Sequence, residues 1–361
     1  MDSEARNWQF SPFQSMREQG DGELEERALD GANALKYGVP FLDASLGGIY
    51  RNEMIVLGAR TGEGKTELAT QIALTNALAG KRVLFFALEA EPKEIYRRLL
   101  YKRLASRYFA DPKRDRAWAS YHDWRYGRLD KAFSPYYADE KGRLDALDKL
   151  MIRYRGREPF TVEQFEKEMS WAKSAELVVV DHFHHFDLEP GPELEAHKRL
   201  AKLIRDLAYL YGVPVLLVAH MRKSDRKFMT PCPELDEFYG TSEITKNATT
   251  TITIGKGPRH EPPPGAGPEH DNCWTTFFRV AKLRTDGNRA RYVAATPFNA
   301  SQGIYLSDFA LGDFEGGKFA ALAASELPHW ARGRATQPAF GPEKAIKLKI
   351  QNHAPRAFKD N

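Results

Sequence analysis

The sequence predicts an α/β fold in which a mainly parallel sheet is flanked by helices and followed by a C-terminal β-hairpin. Two observations support this prediction. Nearly continuous apolar runs alternate with segments of helical spacing, which is typical of parallel strands buried on both faces. A glycine-rich run, residues 59–66, joins one of these apolar runs to a helix. In such folds ligands bind beyond the carboxyl ends of the strands, so we expect the functional residues there.

The composition is that of a globular protein from a reducing compartment. The chain has 361 residues, of which 42% are hydrophobic and 12% aromatic, enough for one large domain with extensions or for two small domains. The net charge of +4 does not by itself indicate a nucleic-acid partner. Two cysteines, Cys232 and Cys273, are too few for a disulfide framework or a metal site. Without a membrane-length apolar run or a signal peptide, we expect a cytoplasmic protein with no membrane contact.

The chain divides into three parts. Residues 1–36 are polar and mixed in charge, and predict an arm or linker with one short helix. Residues 37–311 alternate strands with helices and predict the folded domain. Residues 312–361 lose this periodicity and end in a basic stretch rich in Pro, Ala and Gly, which predicts a loosely ordered tail.

Apolar runs and helical spacing locate the elements of the domain. Strands are predicted at residues 53–58, 81–88, 177–180 and 213–219. Helices are predicted at residues 67–74 and 197–211, where apolar residues recur at helical spacing. Two β-rich segments, 249–254 and 274–280, flank the Pro- and Gly-rich stretch 257–268, which predicts a hairpin with a long exposed tip.

Residues 59–66 match the pattern of a phosphate-binding loop: a small residue, four free positions, then Gly-Lys-Thr, between a strand and a helix. The small residue is Ala59, where glycine is commoner. Backbone N–H groups and the helix N-terminus would bind phosphate oxygens, Lys65 would reach the β- and γ-phosphates, and Thr66 would hold Mg²⁺. The alternative is a glycine-rich turn that binds nothing. The residues predicted to bind ATP are Ala59, Arg60, Thr61, Gly62, Glu63, Gly64, Lys65, Thr66 and Glu67.

Three polar residues end the other predicted strands. Asp181 follows four apolar residues and is predicted to hold Mg²⁺; the alternative is an acid that caps the strand end. Glu89 is predicted to orient and deprotonate the attacking water, unless it caps the following helix, as Glu91 or Glu94 could equally well. His220 is predicted to sense the γ-phosphate, whereas an isolated histidine here would be an ordinary strand-end residue.

Lys282 and Arg284 lie on or just after the second strand of the hairpin. Their alternate spacing predicts that both side chains lie on one face of the strand. Two cations presented together suit a transferring phosphoryl group, as an arginine finger does. The alternative is a solvated strand face.

Together these features resemble the RecA-like ATPases, and in particular the motor domain of DnaB-type hexameric helicases. The resemblance covers residues 38–291 and includes the entry segment 38–48, Ala87-Leu88-Glu89, the motif at 240–248 and Lys282-Leu283-Arg284. It implies a ring, in which Lys282 and Arg284 act on the nucleotide of a neighbouring subunit. His220 replaces the usual glutamine, as in Twinkle-like and phage-type helicases. Residues 1–36 cannot replace the domain with which DnaB proteins contact primase, which argues against primase coupling but leaves the question open.

The resemblance also implies that the loop after His220 faces a central channel. Its four cations, Arg222, Lys223, Arg226 and Lys227, suit sequence-independent binding of single-stranded nucleic acid. The alternative is a solvated loop. The other loop expected at the channel, residues 188–195, is acidic and argues mildly against a DNA path there.

The function predicted from these features is Mg²⁺-dependent ATP hydrolysis that drives translocation on single-stranded DNA and duplex unwinding. The expected partners are single-stranded DNA, further copies of the chain in a ring, most simply a hexamer, and replication or loader proteins. One alternative is a regulatory ATPase ring of the clock-protein kind, although that group usually has paired glutamates where Ala90 follows Glu89. A RadA-like recombination factor is a third reading, without the zinc-binding cysteines that would support it.

Overall fold

The chain folds around one large mixed β-sheet with helices packed on both faces. A computed structural model describes residues 16, 20, 22–91, 93–111, 119–156, 158–188, 192–222, 230–239, 242–261, 265, 270 and 272–335. The helices are α1 (Glu23–Asn33), α2 (Pro40–Leu46), α3 (Lys65–Leu78), α4 (Glu94–Ala110), α5 (Tyr121–Arg125), α6 (Asp130–Asp145), α7 (Val162–Glu168), α8 (Glu193–Tyr211) and α9 (Glu243–Asn247). The strands are β1 (Met54–Ala59), β2 (Val83–Ala87), β3 (Leu150–Tyr154), β4 (Leu177–Asp181), β5 (Val215–His220), β6 (Thr250–Arg259), β7 (Cys273–Leu283), β8 (Val293–Asn299), β9 (Ile304–Tyr305), β10 (Ala310–Glu315) and β11 (Lys318–Ala321).

The strand order is β11-β10-β8-β7-β6-β1-β5-β4-β2-β3, with β9 paired to β8. In the part of the sheet with the order β6-β1-β5-β4-β2-β3, which we call the parallel block, every pair of neighbouring strands is parallel. From β6 to β11 the neighbours are antiparallel, and β6 and β7 form the predicted hairpin. The predicted fold class is therefore confirmed, with a larger antiparallel extension than the hairpin alone.

Parallel pairing brings the carboxyl ends of the central strands to one edge of the sheet. Ala59 at the end of β1 pairs with His220 at the end of β5. Ala87 at the end of β2 pairs with Asp181 at the end of β4. We call this side the carboxyl edge, and the opposite side, where β1 begins, the amino edge.

Both faces of the parallel block are buried. Along β1, Ile55 and Leu57 pack into one apolar cluster with helix α3, whereas Met54 and Val56 pack into a second cluster on the other face with α8. Successive side chains of a strand point to opposite faces, so a strand covered on both sides must be apolar at nearly every position. The near-continuous apolar runs that predicted these strands follow from this burial.

The folded domain extends past both of its predicted boundaries. At its start, Leu35 is buried and bridges to Ile49. At its end, β10 crosses the expected boundary after residue 311, and its partner β11 reaches Ala321. Farther on, Trp330 packs against Phe41 with their ring centroids 6.2 Å apart. The division into 37–311 and a tail from 312 therefore does not hold for residues 312–335, and residues 336–361 lie outside the described part of the chain.

A helical segment between β2 and β3 packs on the same face as α3. Helices α4 and α6 contact each other through Tyr108 and Phe133, whose ring centroids are 5.5 Å apart. Arg103 of α4 also donates a 2.7 Å hydrogen bond to the fully buried carboxylate of Glu140. None of the helices in the described ranges is both long and apolar enough to cross a membrane.

Candidate nucleotide site

The predicted phosphate loop lies at the carboxyl edge, between the end of β1 and the start of α3. Gly62 and Gly64 have φ of +82° and +97°, in the left-handed region where a side chain would be strained. The first N–H that completes a turn of α3 is that of Leu68, which donates to the Gly64 carbonyl. The preceding N–H groups of the first turn therefore have no helical acceptor and are available to an anion.

Lys65 is buried, and its side chain folds back over the loop. Its Nζ donates to the carbonyl oxygens of Ala59 and Arg60, at 3.1 Å each. Burial lowers the pKa of Lys65, while the charges of Asp181, Glu89 and Glu63 act in the opposite direction. The ammonium group therefore lies among carboxylates at the point where the sequence predicts the nucleotide phosphates.

Two side chains predicted to contact nucleotide are engaged elsewhere. The guanidinium of Arg60 forms a 2.7 Å ion pair with Glu237 and donates to the carbonyl oxygens of Thr230 and Pro231. The carboxylate of Glu67 pairs with Lys102 of α4 at 2.7 Å. For these two residues only the backbone remains as a candidate nucleotide contact.

Asp181 lies at the end of β4, beside the start of α3, and is 2% exposed. It accepts a hydrogen bond from Thr66, and its Oδ1 is buried without a hydrogen-bond partner among the described residues. Burial raises the pKa of Asp181 to about 6, with the nearby charge of Glu89 acting in the same direction. A buried carboxylate oxygen with no partner, next to a hydroxyl, fits a divalent cation that prefers oxygen ligands.

Glu89 follows β2 by two residues and is held close to Asp181 through the backbone. The N–H groups of Leu88 and Glu89 both donate to the Asp181 carbonyl, at 2.7 and 3.3 Å. The Glu89 side chain is 52% exposed, and its Oε2 lies 3.2 Å from Nε2 of His182. This carboxylate is therefore open to solvent on one side and oriented by a histidine on the other.

His182, which sequence reasoning did not single out, joins Glu89 to His220. Its Nε2 lies 2.8 Å from Nε2 of His220, so one ring donates a hydrogen bond to the other. Candidate ligand atoms of Glu89, His182 and His220 all lie within 4.8 Å of one another. Burial and the neighbouring histidines lower the pKa of His182 to about 2, so the ring is neutral. The available sequence signal was the presence of three histidines among the four residues after Asp181.

Lys282 and Arg284 lie at the amino edge, away from the phosphate loop of their own chain. Leu283 pairs with Thr250, and the N–H of Arg284 donates to the Thr249 carbonyl. Lys282 lies on β7 and donates to the carbonyl oxygens of Thr245 and Lys246 in α9, at 2.7 and 3.0 Å. Burial lowers the pKa of Lys282, and the charge of Arg284 lowers it further.

A β-bulge precedes this pair of cations. Thr251 pairs with Lys282 and Ile252 with Val280, so Ala281 is an extra residue on β7. Beyond the bulge, Arg284 lines a cavity of about 470 Å³ together with Glu53 and Arg289. Burial raises the pKa of Glu53 to about 7. Arg284 thus faces an open recess at the amino edge.

Comparison with known proteins identifies the family. A family model described as the DnaB-like helicase C-terminal domain matches residues 34–285. The chain belongs to this family. It is a RecA-like motor domain of the DnaB type, as the sequence predicted.

Solved structures share the fold of this DnaB-like domain at low sequence identity. The ATPase domain of G40P matches with a TM-score of 0.58 and 15% identity, over 81% of this chain and 99% of that chain. A DnaB-like replicative helicase, described together with its interactions with primase, matches with a TM-score of 0.58 and 15% identity, over 80% of this chain and 67% of that chain.

A clock protein shares a shorter stretch of sequence. Circadian clock protein KaiC2 of Synechocystis sp. (strain ATCC 27184 / PCC 6803 / Kazusa) is 42% identical over 64 residues, which are 17% of this chain. The match spans 11% of the length of KaiC2. It therefore concerns one segment of each protein.

The predicted nucleic-acid loop of the DnaB-like domain begins directly after His220. Arg222 is exposed, and its N–H donates to the Glu237 carbonyl at 2.6 Å. Lys223, Arg226 and Lys227 lie outside the described residues. The chain is described again from Thr230, where Arg60 of the phosphate loop contacts the backbone. Both ends of the loop are thus attached close to the candidate nucleotide site.

Proposed function

We propose that this chain is the ATP-hydrolysing motor of a replicative-type DNA helicase that moves along single-stranded DNA. The observation that carries the proposal is the convergence of Lys65, Thr66, Asp181, Glu89 and His220 at the carboxyl edge, where the loop after His220 begins. An ATPase needs a phosphate cradle, a metal-binding acid and a base for water, and these residues supply all three.

Each residue has a distinct task in this proposal. Lys65 and the loop N–H groups bind the β- and γ-phosphates, and Thr66 with Asp181 holds Mg²⁺. When bound, Mg²⁺ supplies positive charge to the phosphate oxygens. Glu89, half exposed and oriented by His182, accepts the proton of the attacking water. His220 reports the loss of the γ-phosphate to the loop that follows it.

We further propose that the active unit is a ring, most simply a hexamer. Lys282 and Arg284 lie at the opposite edge of the sheet from Lys65, separated by the length of β1. A strand of six residues spans about 20 Å, which is too far for these side chains to reach their own nucleotide. They can act only on the nucleotide of a neighbouring subunit.

The second candidate is a regulatory ATPase ring that acts on protein partners without moving on DNA. It is favoured by the 64-residue similarity to a circadian clock protein. The two candidates differ in what the loop after His220 contacts. The helicase proposal requires this loop to bind the backbone of single-stranded nucleic acid.

The test is the steady-state ATPase rate with and without single-stranded DNA, measured from 50 to 400 mM salt. For the helicase we expect DNA to raise the rate, and the effect to weaken as salt rises. Removing four phosphate contacts should reduce the slope of log binding constant against log salt by about 3. We therefore expect DNA stimulation to be largely lost in the variant with Arg222, Lys223, Arg226 and Lys227 all changed to Ala.

The matched control removes four exposed lysines elsewhere. In it Lys131, Lys173, Lys202 and Lys318 are changed to Ala, so that it has the same net charge. It should keep wild-type stimulation. A wild-type rate indifferent to DNA, without DNA binding at low salt, would support the regulatory ring instead. Absence of any ATPase activity would contradict both candidates.

A further inference from the structure

We propose that His260, His270 and Asp308 form a second metal site, which binds a divalent transition metal of the zinc type. Each side chain offers one ligand atom, and the three atoms lie within 4.8 Å of one another. None of these residues belongs to the candidate nucleotide site, and neither cysteine takes part. The proposal does not depend on the proposed helicase function.

The antiparallel part of the sheet brings the three residues together. His260 directly follows β6 and His270 precedes β7, and the His260 N–H donates to the Cys273 carbonyl at 2.9 Å. This bond continues the hairpin ladder beyond Arg259, and the two imidazole rings stack with centroids 5.8 Å apart. Asp308 lies between β9 and β10, and its carboxylate is brought within 4.8 Å of a ring nitrogen of each histidine.

The chemistry at His260 favours metal binding over a purely structural role. Its Nε2 is buried and has no hydrogen-bond partner in the described part of the chain. Leaving such a nitrogen without a partner is unfavourable, and a bond to a metal would satisfy it. Burial lowers the pKa of His260, and neutral imidazole is the form that binds metals.

The ligand set selects the metal. Two imidazoles and one carboxylate suit Zn²⁺ and related ions, whereas Mg²⁺ prefers oxygen ligands in an octahedron. In a tetrahedral zinc site the ligand atoms lie about 3.3 Å apart, given bonds of about 2.0 Å. The observed separations, at most 4.8 Å, require only side-chain shifts of about 1 Å. Three protein ligands leave a fourth position for water.

Such a metal would join two segments that are distant in sequence. It would tie the end of the β6–β7 hairpin to the chain between β9 and β10. The hairpin extends past the carboxyl edge, because β6 runs parallel to β1 and continues five residues beyond the pairing of Ile254 with Ala59. The metal would therefore fix a part of the domain that lies on the nucleotide side of the sheet.

The experiment is a Zn²⁺ titration of the full chain after treatment with a chelator, followed by an indicator that competes for zinc. Because Glu89, His182 and His220 are a second possible zinc site, the number of bound ions is compared between variants. We expect the His260→Gln/His270→Gln variant to bind one Zn²⁺ fewer than wild type. The control His122→Gln/His329→Gln, which removes two exposed histidines, should bind as wild type does.

A second variant, at Asp308, distinguishes loss of the metal site from misfolding of the double histidine variant. Asp308→Asn should weaken the same site about 100-fold or more, because loss of a ligand costs more than loss of its supporting hydrogen bond. Co²⁺ should give a visible spectrum with nitrogen ligation in wild type and in the control, and in both site variants the absorbance should fall by the contribution of one bound ion. Equal zinc stoichiometry and affinity in wild type, Asp308→Asn and a folded His260→Gln/His270→Gln variant would overturn the proposal.

Discussion

Glu89 is the residue on which the proposed hydrolysis most directly depends. Its carboxylate is open to solvent, where a water can approach, and its other side contacts His182. The neighbouring acid Glu91 is exposed, and its carbonyl accepts the N–H of Glu94 at the start of α4. The two acids are thus close in sequence but only Glu89 lies among the residues of the carboxyl edge.

We expect Glu89→Gln to bind ATP as wild type does and to hydrolyse it at least about 100-fold more slowly. The amide keeps the size of the side chain but cannot accept a proton from water, and general bases contribute about 10²–10⁴-fold. Binding of a fluorescent ATP analogue and steady-state phosphate release measure the two effects. The control Glu91→Gln should hydrolyse at the wild-type rate. Wild-type turnover in Glu89→Gln would show that the base is another group.

Among contacts between elements, the ion pair of Arg60 with Glu237 connects the phosphate loop to the segment that follows the predicted nucleic-acid loop. Both side chains are largely buried, at 11% and 6% exposure. Arg60 also donates to two backbone carbonyls of that segment, and its own N–H donates to Glu63. A displacement of either segment must therefore disturb the other.

We expect Glu237→Gln to lower the free energy of unfolding by about 3 kcal/mol, because it leaves the buried Arg60 without its counter-charge. Urea unfolding of Arg60→Met, Glu237→Gln and the double variant measures the coupling. The double variant should be less destabilised than the sum of the single ones. The control Glu168→Gln removes an acid that pairs with Arg153 of β3, at the end of the sheet and away from Arg60, and should show no coupling to Arg60→Met. Strict additivity for Arg60 and Glu237 would contradict the prediction.

The sequence predicted best those strands that are buried on both faces, because this burial requires an apolar residue at nearly every position. Strands β1, β4 and β5 are covered on both faces and are apolar up to the last residue, which is polar in β4 and β5, so the sequence alone located them. β3 lies at the end of the sheet, is only partly buried and includes Arg153, so no apolar run marked it. β10 and β11 mix Gly, Phe and charged residues for the same reason.

In the candidate site, too, local sequence features predicted some residues, whereas other contacts depend on the tertiary fold. The positions of Lys65, Asp181, Glu89 and His220 follow from strand ends, which are local features. The pairing of Arg60 with Glu237, 177 residues apart, depends on how the chain returns to the phosphate loop. The binding of Lys282 to carbonyl oxygens of α9 likewise depends on a contact that no local spacing indicates.

For the whole molecule, the decisive feature is the separation of the two sets of charged residues. The candidate nucleotide site lies at the carboxyl edge, and Lys282 with Arg284 at the amino edge of the same sheet. If both serve one reaction, each complete site must contain parts of two subunits. The proposed ring follows from this geometry.

We expect mixtures of Arg284→Ala and Lys65→Ala subunits, each inactive alone, to recover part of the ATPase activity. Recovery should occur where an intact phosphate loop of one subunit meets an intact Arg284 of its neighbour. The control mixes Lys65→Ala with Asp181→Asn, whose lesions both lie in the same half of the site, and should stay inactive at every ratio. Native mass measurement gives the number of subunits. A monomeric mass together with no recovery would contradict the ring.

The bulge at Ala281 makes the length of β7 as important as its composition. In a regular strand, side chains alternate between faces, and one extra residue reverses that alternation for everything beyond it. Val280 and Lys282 are two residues apart, yet they pair with Ile252 and Thr251, which are neighbours on β6 and point to opposite faces. The bulge therefore places Lys282 on the face opposite to that of Val280, although regular alternation would put both on one face. In a relative without the bulge, the counterpart of Lys282 should directly follow the counterpart of Val280, and an alignment that counts positions alone would miss it.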